Sequence, residues 1–148
     1  MSDIEISAFS DDTTKTTIQA NGFSLVVDEP PFFGGNNLAP SPVEYFLAAI
    51  AGCINAAGKW VARERGIVIH SMAIHVKGTI DSSRFFGKST TKRAGFEKIK
   101  VTIEIDSPAG KDEAHQWLEE TVSRCPVIDN ATFPTHFDME IKKVTAEK

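Results

Sequence analysis

The stretch from Ser41 to Arg65 constrains the fold more than any other part of the chain, because it carries the signals of one long helix. Ser41 can cap the helix, Pro42 suits its first turn, and Glu44 can reach back to the cap amide. Gly66 is a typical stop signal. The first half is apolar on every side and rich in small residues, namely Ala48, Ala49, Ala51, Gly52, Ala56, Ala57 and Gly58. We therefore expect a central helix that its neighbours approach closely on several faces.

The segments around this helix favour short strands and one further helix. Three β-rich runs separated by polar or Asn-Gly turns precede it and predict a meander, at Ile4–Phe9, Lys15–Ala20 and Phe23–Val27. Alternating apolar residues then predict two strands around Met72–Ile80 and Ile99–Ile105, and a last strand at Phe137–Ile141. A second helix should run from about Pro108 to Arg124, with its inner face made of Ala114, Trp117, Leu118 and Val122.

These elements predict an α+β fold in the order βββ-α-ββ-α-β, with the buried helix packed on antiparallel sheets in a single domain over residues 1–148. Because the long helix has more apolar surface than one small sheet can cover, we also expect a dimer.

Two loops contain paired phenylalanines. The connection from Glu29 to Pro42 is too rich in Pro and Gly for regular structure, and its Phe32 and Phe33 are candidates for a pocket wall. The segment 81–95 is polar and basic and contains Phe85 and Phe86, which indicates a long hairpin tip.

Charge and composition exclude several functional classes. The formal net charge of −4, from 16 basic and 20 acidic residues, offers no general attraction for nucleic acid or anionic lipid. The first residues have neither the basic nor the apolar region of a secretory signal, and the apolar stretch Tyr45–Gly58 is too short to span a bilayer. We therefore expect a cytoplasmic protein, in which thiols stay reduced and a permanent disulfide is disfavoured.

Most common catalytic motifs are missing from the sequence. The four histidines lack the spacing of metal ligands, and the chain has no CxxC pair, no GxSxG elbow and no phosphate-binding glycine loop. The remaining reactive residues are Cys53, in the middle of the long helix, and Cys125, at the end of the second. Most cysteines on apolar helix faces are small core residues. Nothing local activates Cys53, so activation would have to come from another segment or another chain.

The residues around both cysteines resemble a known family. The sequence reads Asp28-Glu-Pro…Gly34-Gly-Asn…Ala39-Pro-Ser-Pro-Val-Glu-Tyr-Phe-Leu-Ala-Ala-Ile-Ala-Gly-Cys53, followed later by Gly95-Phe-Glu-Lys-Ile-Lys and Cys125-Pro-Val. This pattern is similar to the D-P…GG-D…GPSP-x-E-L-L-L-A-A-L-G-A-C and C-P-V motifs of the OsmC/Ohr family, over about residues 20–128. The resemblance implies an intertwined homodimer with two interfacial sites and activity on organic hydroperoxides or hydrogen peroxide.

The same resemblance implies roles for individual residues. Cys53 would be the peroxidatic thiolate that becomes a sulfenic acid, and Cys125 would resolve it as a disulfide. No bound cofactor is implied, because an external dithiol, in one branch a lipoyl group, reduces that disulfide.

The chain departs from the family pattern at two positions. The peroxidase branches hold the thiolate with an N-terminal Arg, whereas the first Arg here is Arg63, so Lys15, Arg84 and Arg93 are the possible substitutes, the two loop residues being favoured. The partner Glu of the organic-hydroperoxide branch stands where this chain has Val43, and Glu44 follows it. Helical geometry turns Glu44 away from its own Cys53, so it either acts on the Cys53 of a partner chain or serves only as the capping acid.

Two other functions remain open at this stage. A non-enzymatic dimer that binds apolar ligands would treat both cysteines as ordinary core residues. A hot-dog thioesterase also packs a long apolar helix against a sheet, but it would explain neither the second cysteine nor the Cys-Pro-Val motif.

Overall fold

The long helix forms as predicted. The computed structural model describes residues 1–144, and its longest element is helix α1, Pro42–Arg65. Glu44 closes a capping box with Ser41 at the first turn. At the other end Gly66 adopts the left-handed conformation, with φ of 68°, and its N–H bonds back to the last turn.

The N-terminal strands form the predicted antiparallel meander. Its strands are β1, Ile6–Ser10, β2, Thr16–Ala20, and β3, Phe23–Val27, in that order across the sheet. Asn21 and Gly22 join β2 to β3 with φ of 49° and 81°, the positive values that a two-residue hairpin turn requires.

A second, two-stranded sheet follows α1. Strands β4, Ser71–Ile80, and β5, Phe96–Asp106, pair antiparallel, so that alternating apolar residues meet across the hairpin. The segment 81–95 is the connection between them, which agrees with the predicted hairpin tip.

The C-terminal part contains a helix that the sequence did not predict. Helix α2 is Lys111–Ser123, shorter at both ends than expected, and a separate helix α3, Pro126–Thr132, comes directly after it. Pro126 cannot continue α2, but its fixed φ and missing N–H suit the first position of a new helix. The inner face of α2 also differs: Trp117 and Thr121 are buried, whereas Val122 is 39% exposed.

The core lies between α2 and the C-terminal half of α1. It consists of Val61, Ala62, Ile67 and Trp117, with Met72 and Ile103 among the residues packed against it. Fully burying one such apolar side chain contributes about 1.5–3 kcal/mol. Around this core, α1 contacts β4, α2 and α3.

The predicted last strand is wrong for the single chain. Residues 134–144 contain no strand, and the alternating Phe137, Met139 and Ile141 are exposed. A strand needs an adjacent edge whose backbone groups it can pair with, and alternation supplies only the side-chain pattern.

Much apolar surface of the chain stays uncovered. Phe23 in the meander is 70% exposed and Trp60 on α1 is 60% exposed. The stretch Tyr45–Gly58 was predicted to be too short to span a membrane. The full helix α1 is longer, and its length and composition are sufficient to cross one. Core helices of soluble proteins satisfy the same length and composition criteria.

Candidate active site

The two cysteines come together in the folded chain. Cys53 lies half-buried in the middle of α1, and Cys125 is only 1% exposed. Both are free thiols, and the Cys53 side chain lies close enough to Cys125 to raise the pKa of its thiol. Cys125 therefore faces inward, and the half-buried Cys53 of α1 is close to it.

Cys125 lies at the junction of two helices. It follows the end of α2 and is the N-cap of α3, with φ of −85° and ψ of 107°. Its N–H bonds to the Val122 oxygen at 3.2 Å, and its own carbonyl accepts the Asp129 N–H at 3.0 Å. These bonds fix the cysteine between two helices, where its side chain meets α1.

The surroundings distinguish the two thiols. Burial raises the pKa of Cys125, the nearby Cys53 side chain raises it further, and N–H groups of Ile128 and Val127 partly oppose the rise. A raised pKa keeps Cys125 protonated at neutral pH and makes it a poor first nucleophile. Cys53 is the thiol that solvent can reach.

A buried carboxylate organises the loop that leads into α1. Asp28 is fully buried and accepts a hydrogen bond from the Thr14 hydroxyl at 2.7 Å. It also accepts the N–H groups of Glu29, Asn36 and Leu38, at 2.8, 3.1 and 3.1 Å. The Thr14 and Leu38 bonds are the main causes that lower its pKa to about 2. Sequence reasoning quoted Asp28 only as part of a motif and missed this role, although an Asp before a Pro- and Gly-rich loop was an available signal.

Glycine is required at positions 34 and 35 of that loop, for two different reasons. Gly34 has φ of 86°, a conformation that disfavours other residues. Gly35 passes so close to the backbone of Glu29 that a Cβ would lie 1.8 Å from its carbonyl oxygen. Both positions exclude side chains, so the loop can fold over Asp28.

Glu44 lies at the first turn of α1 and bonds to Ser41. Its carboxylate accepts the backbone N–H and the hydroxyl of Ser41, both at 2.7 Å, and these bonds lower its pKa. Since α1 is continuous from Pro42 to Arg65, nine residues put Glu44 roughly 13 Å along the helix from Cys53 of the same chain.

The two phenylalanine pairs meet in one aromatic cluster. Phe33 stacks on Phe86 with ring centroids 5.2 Å apart, and Phe32 contacts Phe86 edge-on at 5.4 Å. Phe85 packs against both Phe33 and Phe86. Phe32 is 75% exposed in the single chain. The cluster, here defined as Phe32, Phe33, Phe85 and Phe86, joins the 29–40 loop to the 81–95 connection.

A groove of about 630 Å³ lies between the first half of α1, α3 and the ends of β4 and β5. Its apolar wall includes Val43, Phe46, Ile50 and Ile128, and charge of both signs comes from Arg93, Glu97 and Lys98. Neither cysteine and none of the aromatic cluster lines it. The groove is therefore beside the thiol pair and separate from it.

The three basic candidates occupy different surroundings. Arg84 donates to the Ser89 and Thr90 carbonyls and so holds the 81–95 connection together. Lys15 is exposed in the turn before β2, beside Asp11. Arg93 lines the groove. Of the three, only Arg93 shares a cavity with the first half of α1.

Comparison with known proteins identifies the family to which this fold belongs. The family model described as OsmC-like protein matches residues 34–140, which is more than half of the chain. The chain belongs to the OsmC-like family. The match includes both cysteines, Glu44 and Arg93, and it confirms the resemblance drawn from the motifs.

Individual relatives of this OsmC-like chain agree over nearly its whole length. It is 23% identical over 140 residues to a hydroperoxide reductase of Mycoplasma genitalium, covering 93% of this chain and 92% of that protein. The crystal structure of an OsmC-like protein from Mycoplasma pneumoniae superimposes with a TM-score of 0.76 at 21% identity, covering 88% of this chain and 87% of the other. An organic hydroperoxide resistance protein from Elizabethkingia anophelis gives a TM-score of 0.66 at 18% identity, with 90% and 91% covered. The α+β fold is therefore that of the family.

Proposed function

We propose that this protein is a cytoplasmic thiol peroxidase that reduces organic hydroperoxides or hydrogen peroxide. The observation that carries the proposal is that Cys53 and Cys125 lie close together in the folded chain, one reached by solvent and the other buried. The relative named hydroperoxide reductase supports the substrate class.

The reaction uses the two thiols in turn. The Cys53 thiolate attacks one oxygen of the peroxide bond, which releases alcohol or water and leaves Cys53 as a sulfenic acid. Cys125 then attacks the Cys53 sulfur, a molecule of water leaves, and a disulfide forms. An external dithiol, which we propose is a lipoyl group, reduces that disulfide and restores both thiols. The protein needs no bound cofactor for these steps.

We further propose that the active unit is a homodimer. The apolar faces of the meander and of α1 are exposed in the single chain, and covering them would remove water from the site. In this dimer Glu44 of one protomer would act on the Cys53 of its partner, because it is too far along α1 from its own.

We assign the substrate contacts to Phe32, Phe33 and Arg93. The two phenylalanines offer an apolar surface on the loop that leads into α1, and Arg93 supplies a basic side chain to the groove along the first half of that helix.

A short peroxide pulse followed by mass spectrometry tests the proposal. The wild type should form one intramolecular Cys53–Cys125 disulfide per chain and consume an equal amount of peroxide. Cys53→Ser should consume none. Cys125→Ser should complete the first turnover and then stop with Cys53 as sulfenic acid or a more oxidised product. Two thiols that survive in the wild type at the rate of an ordinary exposed cysteine would contradict the proposal.

A second function is favoured by the groove itself. A cavity of about 630 Å³ with an apolar wall and Arg93 at its edge suits an apolar ligand, which a non-enzymatic family member could bind. Alkylation separates the two functions: a Cys53 that stays inert to iodoacetamide at neutral pH favours the binding protein.

A further inference from the structure

We propose that an ionic clamp at the C-terminal end of α1 positions Cys125 for disulfide formation with Cys53. The clamp is defined as Glu64 and Arg65 of α1, Glu120 of α2, and Arg124, the residue directly before Cys125. Arg124 is a positioning residue, because it acts on the thiols only through the backbone that carries Cys125. The inference rests on the Cys53–Cys125 disulfide of the proposed function, but it does not depend on peroxide as the oxidant.

The clamp is a continuous chain of alternating charges. Arg65 Nη1 donates to Glu120 Oε2 at 3.0 Å, and Arg124 Nη2 donates to the other oxygen of the same carboxylate. Arg124 also donates through Nη1 to Glu64 Oε2 at 2.5 Å. A single exposed ion pair contributes little to stability, whereas several charges joined in a network hold one geometry better. The end of α2 is therefore tied to the end of α1 at two points.

The Glu64 carboxylate is oriented for this role. Its Oε1 accepts the indole N–H of Trp60 at 2.9 Å, which leaves Oε2 for Arg124. Glu64 follows Cys53 by eleven residues, which is about three complete turns of α1, so the two residues lie on the same face of the helix. Arg124 is thus anchored to the face of α1 that carries Cys53.

The backbone transmits the constraint from Arg124 to Cys125. The Arg124 N–H bonds to the Glu120 and Thr121 carbonyls at 3.2 and 3.3 Å, and the Cys125 N–H bonds to the Val122 carbonyl at 3.2 Å. A disulfide needs two Cα atoms about 4.4–6.8 Å apart and a narrow range of dihedral angles, so a small shift of this junction disfavours the bond. The clamp limits such shifts of Cys125 relative to α1.

In the proposed reaction this positioning limits overoxidation. The sulfenic acid on Cys53 either reacts with Cys125 or meets a second peroxide molecule and becomes a sulfinic acid, which thiols do not reduce. Faster disulfide formation leaves less time for the second route. The clamp therefore sets how much peroxide the protein tolerates before Cys53 is lost.

A glutathione equilibrium tests the clamp without peroxide. Glutathione disulfide oxidises the two protein thiols, which join as one disulfide while two glutathione molecules are released. The disulfide fraction at each glutathione ratio is measured by alkylation and mass spectrometry. Arg124→Gln, first checked for native circular dichroism, should lower the equilibrium constant for the Cys53–Cys125 disulfide by roughly three- to tenfold, the scale expected for losing two exposed ion pairs.

Salt separates an ionic role from a packing role of the Arg124 side chain. The clamp side chains are 29–46% exposed, so salt screens their charges. Raising the salt concentration should lower the wild-type equilibrium constant and should hardly change that of Arg124→Gln. Glu64→Gln should act in the same direction, and adding it to Arg124→Gln should have no further effect, because the bond between them is already lost.

His115→Gln is the matched control, because it breaks a 3.4 Å pair with Glu119 that lies within α2 and does not reach α1. It should keep the wild-type equilibrium constant. Equal constants and equal salt dependence in the wild type, Arg124→Gln and Glu64→Gln would overturn the clamp. A wild type that forms no Cys53–Cys125 disulfide at any glutathione ratio would overturn both the clamp and the proposed function. The expected clamp effects in a protein that consumes no peroxide would support the clamp and overturn only the peroxidase reaction.

Discussion

The indole N–H of Trp117 donates a hydrogen bond to the carbonyl oxygen of Gly58 at 2.8 Å, and this bond joins α2 to α1. Gly58 follows Cys53 on the same helix, and Trp117 precedes Cys125 in the chain. The bond therefore helps to set the position of one thiol relative to the other. It is possible only because Gly58 has no side chain: a Cβ there would lie 2.7 Å from the indole ring.

We predict that Gly58→Ala destabilises the protein. The added methyl group would force Trp117 away and strain a tightly packed contact, which costs about 1–3 kcal/mol. Urea denaturation measures this loss. Gly52→Ala is the matched control, because it lies in the same helix and its Cβ meets nothing within 4 Å in the chain. Equal stabilities for Gly58→Ala and the wild type would show that the helices separate at no cost.

The ionised Asp28 carboxylate should make the stability of the folded protein depend on pH. Its pKa is lowered to about 2 in the folded chain from an ordinary value of 3.8. Its carboxylate therefore stabilises the fold fully above the unfolded pKa, and this contribution is lost as the pH falls from near 3.8 through about 2. Thermal unfolding at a series of pH values should show a loss that Asp28→Asn lacks.

Thr14→Val is the control for this carboxylate, because it removes only the hydroxyl that bonds to Asp28. Losing this bond raises the folded pKa of Asp28, so the acid-dependent loss of stability should be smaller than in the wild type and should be complete at a higher pH. Identical pH profiles for all three proteins would contradict the assigned role of Asp28.

Glu44→Gln should separate catalysis from capping. Gln can still accept the Ser41 N–H, so the helix start is retained and stability changes little. If Glu44 acts on the partner's Cys53, peroxide turnover should fall far more than stability does. Ser41→Ala is the complementary control: losing the cap residue should cost about 1 kcal/mol while turnover remains. Unchanged turnover in Glu44→Gln would leave only the capping role.

Arg93→Gln tests the proposed substitute for the missing N-terminal Arg. Turnover should fall by roughly tenfold or more, the factor that corresponds to about 1.4 kcal/mol of lost transition-state stabilisation. Lys92→Gln is the matched control, since it breaks the 3.6 Å ion pair with Asp81 in the same connection and leaves Arg93 in place. Equal turnover in the two variants would assign the basic role to another residue.

Sedimentation velocity at micromolar concentration should show a dimer. Ala56 is exposed in the middle of α1, so a charge placed there by Ala56→Glu should produce folded monomers if this face is the interface. A wild type that sediments only as a monomer would rule out the dimer.

The local elements of this protein could be predicted from its sequence, because their signals are local too. The cap at Ser41, the stop at Gly66 and the Asn21-Gly22 turn each act within a few residues, and all three formed where the sequence indicated. The family could also be recognised from the two cysteine motifs, since these keep their order along the chain.

Only the tertiary structure decided which distant groups meet. The burial of Asp28 depends on a hydroxyl from Thr14 and on N–H groups of a loop with no regular pattern, so no periodicity could reveal it. Alternation predicted a strand at Phe137–Ile141, but a strand also needs a free edge, and none pairs with it in the single chain. The proximity of Cys53 and Cys125 likewise depends on the packing of α1 against α2 and α3, helices that are far apart in sequence.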